Sequence, residues 1–119
     1  MANTTDRQPA RDPQDLERLL IARQWAGDVD GMVALFDRDA VVDTSDGRVS
    51  CGTEAIRALF ADVVASGRKY ELGKQSPALV NGDLALTSTR LADGSATAEV
   101  ARRQGDGTWL WVIDRFCVT

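Results

Sequence analysis

Three glycine-centred turns divide the second half of the chain: Asn81-Gly82, Asp93-Gly94 and Gly105-Asp106-Gly107. Asn-Gly and Asp-Gly accept the positive φ angles of a two-residue hairpin, so each turn reverses an extended segment. Residues 83–92, 95–104 and 108–118 then become successive antiparallel strands. A strand around Tyr70, Leu72 and Leu79 precedes them. Hairpin connections leave no room for crossover helices, so this half is a meander.

The first half has a different period. Asp12-Pro13 reads as a helix start, with Leu16, Leu19, Leu20, Ile21 and Trp25 on its apolar face and Gly27 as its stop. Asp28 or Asp30 caps a shorter helix carrying Met32, Val33, Leu35 and Phe36. Residues 40–44 and 48–51 form two strands about the turn Ser45-Asp46-Gly47. Thr53 caps a third helix with Ile56, Leu59, Phe60, Val63 and Val64 at helical spacing, ended by Gly67. The expectation is an α+β fold: a mostly antiparallel six-stranded sheet with three N-terminal helices on one face. Residues 1–11 are expected to be a flexible leader and residues 12–119 a single domain.

Composition narrows the chemistry. The 119 residues contain no histidine. A Ser-His or Cys-His nucleophile pair and a histidine-ligated metal are therefore absent from the options. A net charge of −4 argues against a nucleic-acid surface. Acid–base work falls to carboxylates. Cys51 and Cys117 fit no CxxC pattern and read as two buried or half-buried thiols, with a single disulfide between them as the alternative. No metal or cofactor motif is complete: Gly73-Lys74-Gln75 lacks the rest of a phosphate loop, and Val41 interrupts a calcium-loop spacing after Asp37. The start of the chain lacks the apolar stretch of a signal peptide and no segment is a membrane span, which sets the expectation of a cytoplasmic protein with no membrane partner.

The segments Ala26–Phe36, Asp39–Val42, Gly52–Arg57, Arg102–Trp109 and Trp111–Asp114 together resemble the nuclear transport factor 2-like superfamily. This group includes the SnoaL-like polyketide cyclases and the ketosteroid isomerases. The resemblance spans residues 13–118. It implies a cone-shaped, cystatin-like curved sheet with one deep apolar pocket, and a homodimer formed through the outer sheet face. By the isomerase pattern, a carboxylate base falls at Thr44 and a tyrosine donor at Leu20, so both positions lack the expected group. The protonated-acid donor falls at Glu99.

Alternation along the last strand puts Leu110, Val112, Asp114 and Phe116 on one face and Trp109, Trp111, Ile113 and Arg115 on the other. The isomerase pattern turns the first set into the pocket. An aspartate among apolar neighbours needs a partner or a raised pKa. Asp114 and Glu99 are thus the catalytic candidates, sharing a proton or neutralised by Arg103 or Arg90. Trp25, Thr44, Phe60, Arg103, Val112 and Phe116 are the candidate ligand contacts. Trp109, Trp111 and Arg115 are expected to form the dimer interface. The function expected is binding of a hydrophobic small molecule. The alternative is a cofactor-independent isomerase, lyase, cyclase or hydrolase that moves protons with pocket carboxylates.

Overall fold

The computed structural model describes residues 7–118. Its helices are α1 (Asp15–Trp25), α2 (Val29–Val33) and α3 (Gly52–Ala65). Its strands are β1 (Phe36–Asp43), β2 (Val49–Cys51), β3 (Lys74–Gln75), β4 (Leu79–Asn81), β5 (Leu84–Thr87), β6 (Thr89–Arg90), β7 (Ala96–Arg103) and β8 (Trp109–Val118). They form one sheet in the order β2-β1-β8-β7-β5-β4, with β6 also on β7 and β3 on β6. Every pairing is antiparallel except β1 with β8.

The expected α+β class holds, with eight strands in place of six. The strand expected near Tyr70 and Leu72 is a loop, and only Lys74–Gln75 and Leu79–Asn81 pair. The strand expected over 83–92 breaks at Ser88, whose hydroxyl donates to the Thr97 carbonyl at 2.7 Å.

Local chemistry sets the helix starts. Asp12 accepts from the Gln14 N–H at 2.9 Å, one turn ahead of α1. Asp28 caps α2 by accepting from the Gly31 N–H at 3.1 Å. Phe36 belongs to β1 rather than to α2. Thr53 is not the cap of α3. That helix begins at Gly52, whose φ of +85° turns the chain out of β2, and Cys51 makes no side-chain cap bond.

The core lies between helices and sheet. Leu16, Leu19, Leu20, Met32, Leu35, Ile56, Leu59 and Phe60 are buried against Phe36, Val42 and Trp111. The Phe36 ring sits 5.5 Å from Phe60 and 5.1 Å from Trp111. Offset or tilted aromatic contacts of this kind stabilise beyond area burial alone.

One irregularity decides which way the last strand faces. Val100 pairs with Ile113, but Ala101 pairs with Trp111, so Val112 is an extra residue on β8. A bulge of this kind reverses the alternation. Trp109 and Trp111 therefore share the inner face with Asp114. They are 5% and 1% exposed, which corrects the expectation that they form an outer interface. The outer face instead carries Leu86, Val100, Ile113 and Val41, aligned across four strands by their pairing. Arg115 does lie outside, 3.4 Å from Asp43.

Of the expected leader, residues 1–6 lie outside the described residues. Residues 7–11 pack on the body. Arg7 donates to both Asp28 oxygens at 2.9 and 2.6 Å. The Ala10 carbonyl accepts from Trp109 N–H at 2.8 Å. Buried Arg23 joins these parts, donating to the carbonyls of Gly31 at 2.8 Å and Gln8 at 2.7 Å. Among the described residues no helix is long and apolar enough to cross a membrane.

Candidate functional site

A cavity of about 1130 Å³ opens between α1, α3, the loop around Tyr70, the 91–95 turn and β8. Its inner wall is apolar where Leu20, Leu59, Val63 and Phe116 reach it. Three carboxyl groups interrupt that wall: Glu17 from α1, Glu99 from β7 and Asp114 from β8. Glu99 and Asp114 are cross-strand partners, so the pleat holds them side by side. Each is 3% exposed.

Their bonding is sparse. Glu99 Oε1 accepts from the Thr87 hydroxyl at 2.7 Å, while Oε2 is buried without a partner. No lysine or arginine bridges Glu99 or Asp114 among the described residues. Arg90 instead donates to the Gly94 carbonyl at 3.1 Å within its own turn. Arg103 pairs with Asp83 at 2.8 Å, outside the cavity.

Burial without a counter-ion favours the protonated forms. Burial first, then the charges of Glu99 and Glu17, hold Asp114 well above the usual carboxylate range. Burial and the nearby Glu99 raise Glu17 to about 7. Glu99 is also raised by burial, with the Thr97 and Thr87 hydroxyls pulling the other way. The Tyr70 phenol is pushed up to about 12, chiefly by burial, and so stays neutral. A protonated carboxyl donates a hydrogen bond, and an ionised one accepts a proton. The wall holds groups suited to both tasks near neutral pH.

The other expected contacts scatter. Thr44 and Phe116 reach the cavity. Phe60 is fully buried in the core, Val112 sits at the bulge, and neither lines the cavity. Trp25 is 55% exposed and also off the wall. Its indole N–H donates to the Tyr70 carbonyl at 2.5 Å, and Lys69 lies 5.9 Å above its ring. Trp25 thus clamps the loop that carries Tyr70. Gln24 assists: its side-chain oxygen accepts from Tyr70 N–H at 3.0 Å, and its amide donates to the Arg68 carbonyl.

Glu17 and Gln24 did not stand out in the sequence. Their spacing held a usable signal. Residues 17, 20 and 24 fall on one helical face, so a carboxylate one turn before an inward Leu20 points at the same space.

The SnoaL-like domain model matches residues 16–119, nearly the whole chain. The chain belongs to the SnoaL-like family. No functionally curated protein matches this SnoaL-like chain. Solved structures share its fold. A Thiobacillus denitrificans protein described as a calcium/calmodulin-dependent protein kinase type II association domain superposes with a TM-score of 0.74 at 18% identity, over 91% of this chain and 95% of that one. A Novosphingobium aromaticivorans NTF2-like protein with a cystatin-like fold gives 0.66 at 24% identity, over 86% and 79%. A ketosteroid isomerase-like protein from Erwinia carotovora atroseptica gives 0.66 at 14% identity, over 86% and 89%. In this SnoaL-like chain, Leu20 and Thr44 both line the cavity. The two positions where the isomerase pattern expects a tyrosine and a carboxylate thus face it without a titratable group.

Proposed function

We propose that the cavity takes up a hydrophobic small molecule whose polar end is hydrogen-bonded by Glu99 and Asp114. The observation carrying this reading is Glu99 Oε2, a buried oxygen without a partner on the wall of a large cavity. An unsatisfied buried polar atom costs about 1–3 kcal/mol, and a ligand group that pairs with it recovers that cost. The test is a screen of small apolar alcohols, ketones and amines, followed by amide chemical-shift mapping. The reading expects shifts centred on Thr97, Glu99, Asp114 and Phe116. Shifts elsewhere only, or none, contradict it.

Proton transfer is the second reading, favoured by Glu17. Its raised pKa of about 7 suits a general base, and it stands one helical turn before Leu20. In that reading Glu17 removes a proton beside a carbonyl, while protonated Asp114 donates to the carbonyl oxygen. Isomerisation, elimination or cyclisation then needs no cofactor. Deuterium exchange into an added apolar ketone, abolished in Glu17→Gln, is the expected signature.

A second copy of the chain is the occupant we assign to the outer sheet face, where Leu86, Ile113 and Val41 are exposed in one row. The thiols of Cys51 and Cys117 are free, which suits the reducing cytoplasm.

A further inference from the structure

We infer that the polar end of the ligand is a protonated amine, seated among Glu17, Glu99 and Asp114 with its apolar body along Leu20, Leu59 and Phe116. This inference rests on the proposal that the cavity binds a small molecule. It starts from the convergence of three carboxyl groups, from α1, β7 and β8, on one wall. A cluster of acids alone would say little. The second observation is Glu99 Oε2, an acceptor on a side chain 3% exposed that makes no hydrogen bond of ordinary geometry among the described residues, with the Thr97 hydroxyl as the polar neighbour of that carboxyl.

Arg48, Arg68, Lys69, Lys74 and Arg90 also line the cavity, but among the described residues none of them pairs with these three carboxyl groups. From the loop comes the phenol of Tyr70, and Arg68 is engaged over that ring at 5.7 Å. From α3 come the apolar Leu59 and Val63; Asp62 lies at the mouth, paired with Arg48 at 2.9 Å. The segment after β1 brings the Thr44 hydroxyl, which donates to Asp46 at 2.6 Å. Lys69 donates to the Trp25 carbonyl at 3.3 Å. Lys74 and Arg90 stand at the exposed mouth with Glu71 and Asp93.

Neutral and cationic ligands differ sharply in such a place. A carbonyl oxygen takes a hydrogen bond from one acid and leaves the others as they were. An ammonium brings three N–H donors and the single charge that lets a neighbouring carboxyl ionise. The proton balance follows. The amine enters already protonated, a carboxyl gives its proton to solvent, and the ion pair remains inside. Amine affinity therefore rises with pH, and each binding event releases a proton.

The test compares three probes with one apolar body: 4-phenylbutylamine, 4-phenylbutan-1-ol and 4-phenylbutyrate. Calorimetry at neutral pH in two buffers of different ionisation heat reads affinity and proton release together. The amine should bind about tenfold or more tighter than the alcohol, as a charge-assisted bond implies. It should release up to about one proton and weaken as the pH is lowered from neutral to mildly acidic. Glu99→Gln should lower amine affinity about tenfold and alcohol affinity by a clearly smaller factor, because the amide oxygen still accepts from a hydroxyl but cannot ionise to pair an ammonium. Glu17→Gln, on a half-buried helix position, serves if that variant fails to fold. Equal or tighter binding of the alcohol or the carboxylate, or amine binding without proton release, overturns the amine inference and leaves the cavity proposal standing. Binding by none of the three overturns both.

Discussion

Glu99 and Asp114 stand directly opposite one another on β7 and β8, both buried, and neither meets a lysine or arginine among the described residues. Two carboxyl groups so placed cannot both ionise cheaply. The Val112 bulge adds Trp111 to the same face. Without that extra residue, Asp114 and Trp111 would point to opposite faces of the sheet.

Folding stability should fall as pH rises from mildly acidic to mildly alkaline. Glu17 is raised from 4.5 to about 7, so across that interval the folded chain holds a proton the unfolded chain has lost. Its contribution is fully present below 4.5 and is lost as pH climbs through about 7. At most about 3 kcal/mol is at stake for this group. Raised Glu99 and Asp114 act in the same direction. Asp46, Asp93 and Asp106 are lowered by hydrogen bonds in exposed turns, so their effect belongs to pH below the usual carboxylate range. Urea unfolding at several pH values checks the slope, and Asp114→Asn should flatten it while melting higher than the parent at alkaline pH.

Gly31→Ala should destabilise the chain by about 2 kcal/mol or more. A Cβ there would lie 2.2 Å from Asp28 Oδ2 and 3.1 Å from Arg23 Cδ. The carboxylate that must yield caps α2 and holds Arg7. Chemical denaturation measures the loss, and Gly82→Ala, where nothing lies within 4 Å, provides a contrast that reports only the strain of its φ of +60°.

Gln24→Ala should release the loop around Tyr70. Gln24 is the only side chain in α1 that bonds to that loop at two backbone points, Arg68 and Tyr70, among the described residues. Hydrogen exchange should rise at residues 68–72, and ligand affinity should fall more than global stability does. Unchanged exchange there would show that Trp25 alone holds the loop.

Ile113→Lys should give a monomer in sedimentation at concentrations where the parent is a dimer. The lysine would place a charge in the middle of the apolar outer row. Trp111→Phe, a change inside the core, should leave association unaltered. A monomeric parent at high micromolar concentration removes the proposed second copy.

The order of elements was legible because hairpin glycines and helical spacing are local signals. Asn81-Gly82 and Asp93-Gly94 do turn the chain where expected, with φ values of +60° and +88° at the glycines. The family resemblance pointed to Glu99, and strand alternation with that same pattern pointed to Asp114. Facing was harder. Alternation misassigned Trp109 and Trp111, because a bulge is set by pairing with β7 and leaves no local mark in the sequence. Arg103 and Phe60 were placed by pattern on a wall they do not reach; Asp83 claims the first and the Phe36–Trp111 cluster the second. Glu17 was hidden because a single acid beside an apolar stripe reads as an ordinary boundary residue. Only the fold brings it to Glu99.

The most direct test is a pH titration of the side-chain carboxyl carbons by NMR, with Glu17, Glu99 and Asp114 assigned through their variants. A water-shielded cluster on a ligand-binding wall requires Glu17 to titrate near 7 and Asp114 well above ordinary aspartates. If all three titrate with the exposed carboxylates, the wall is hydrated or bridged by cations, and a shielded acid cluster as the ligand's polar seat is contradicted.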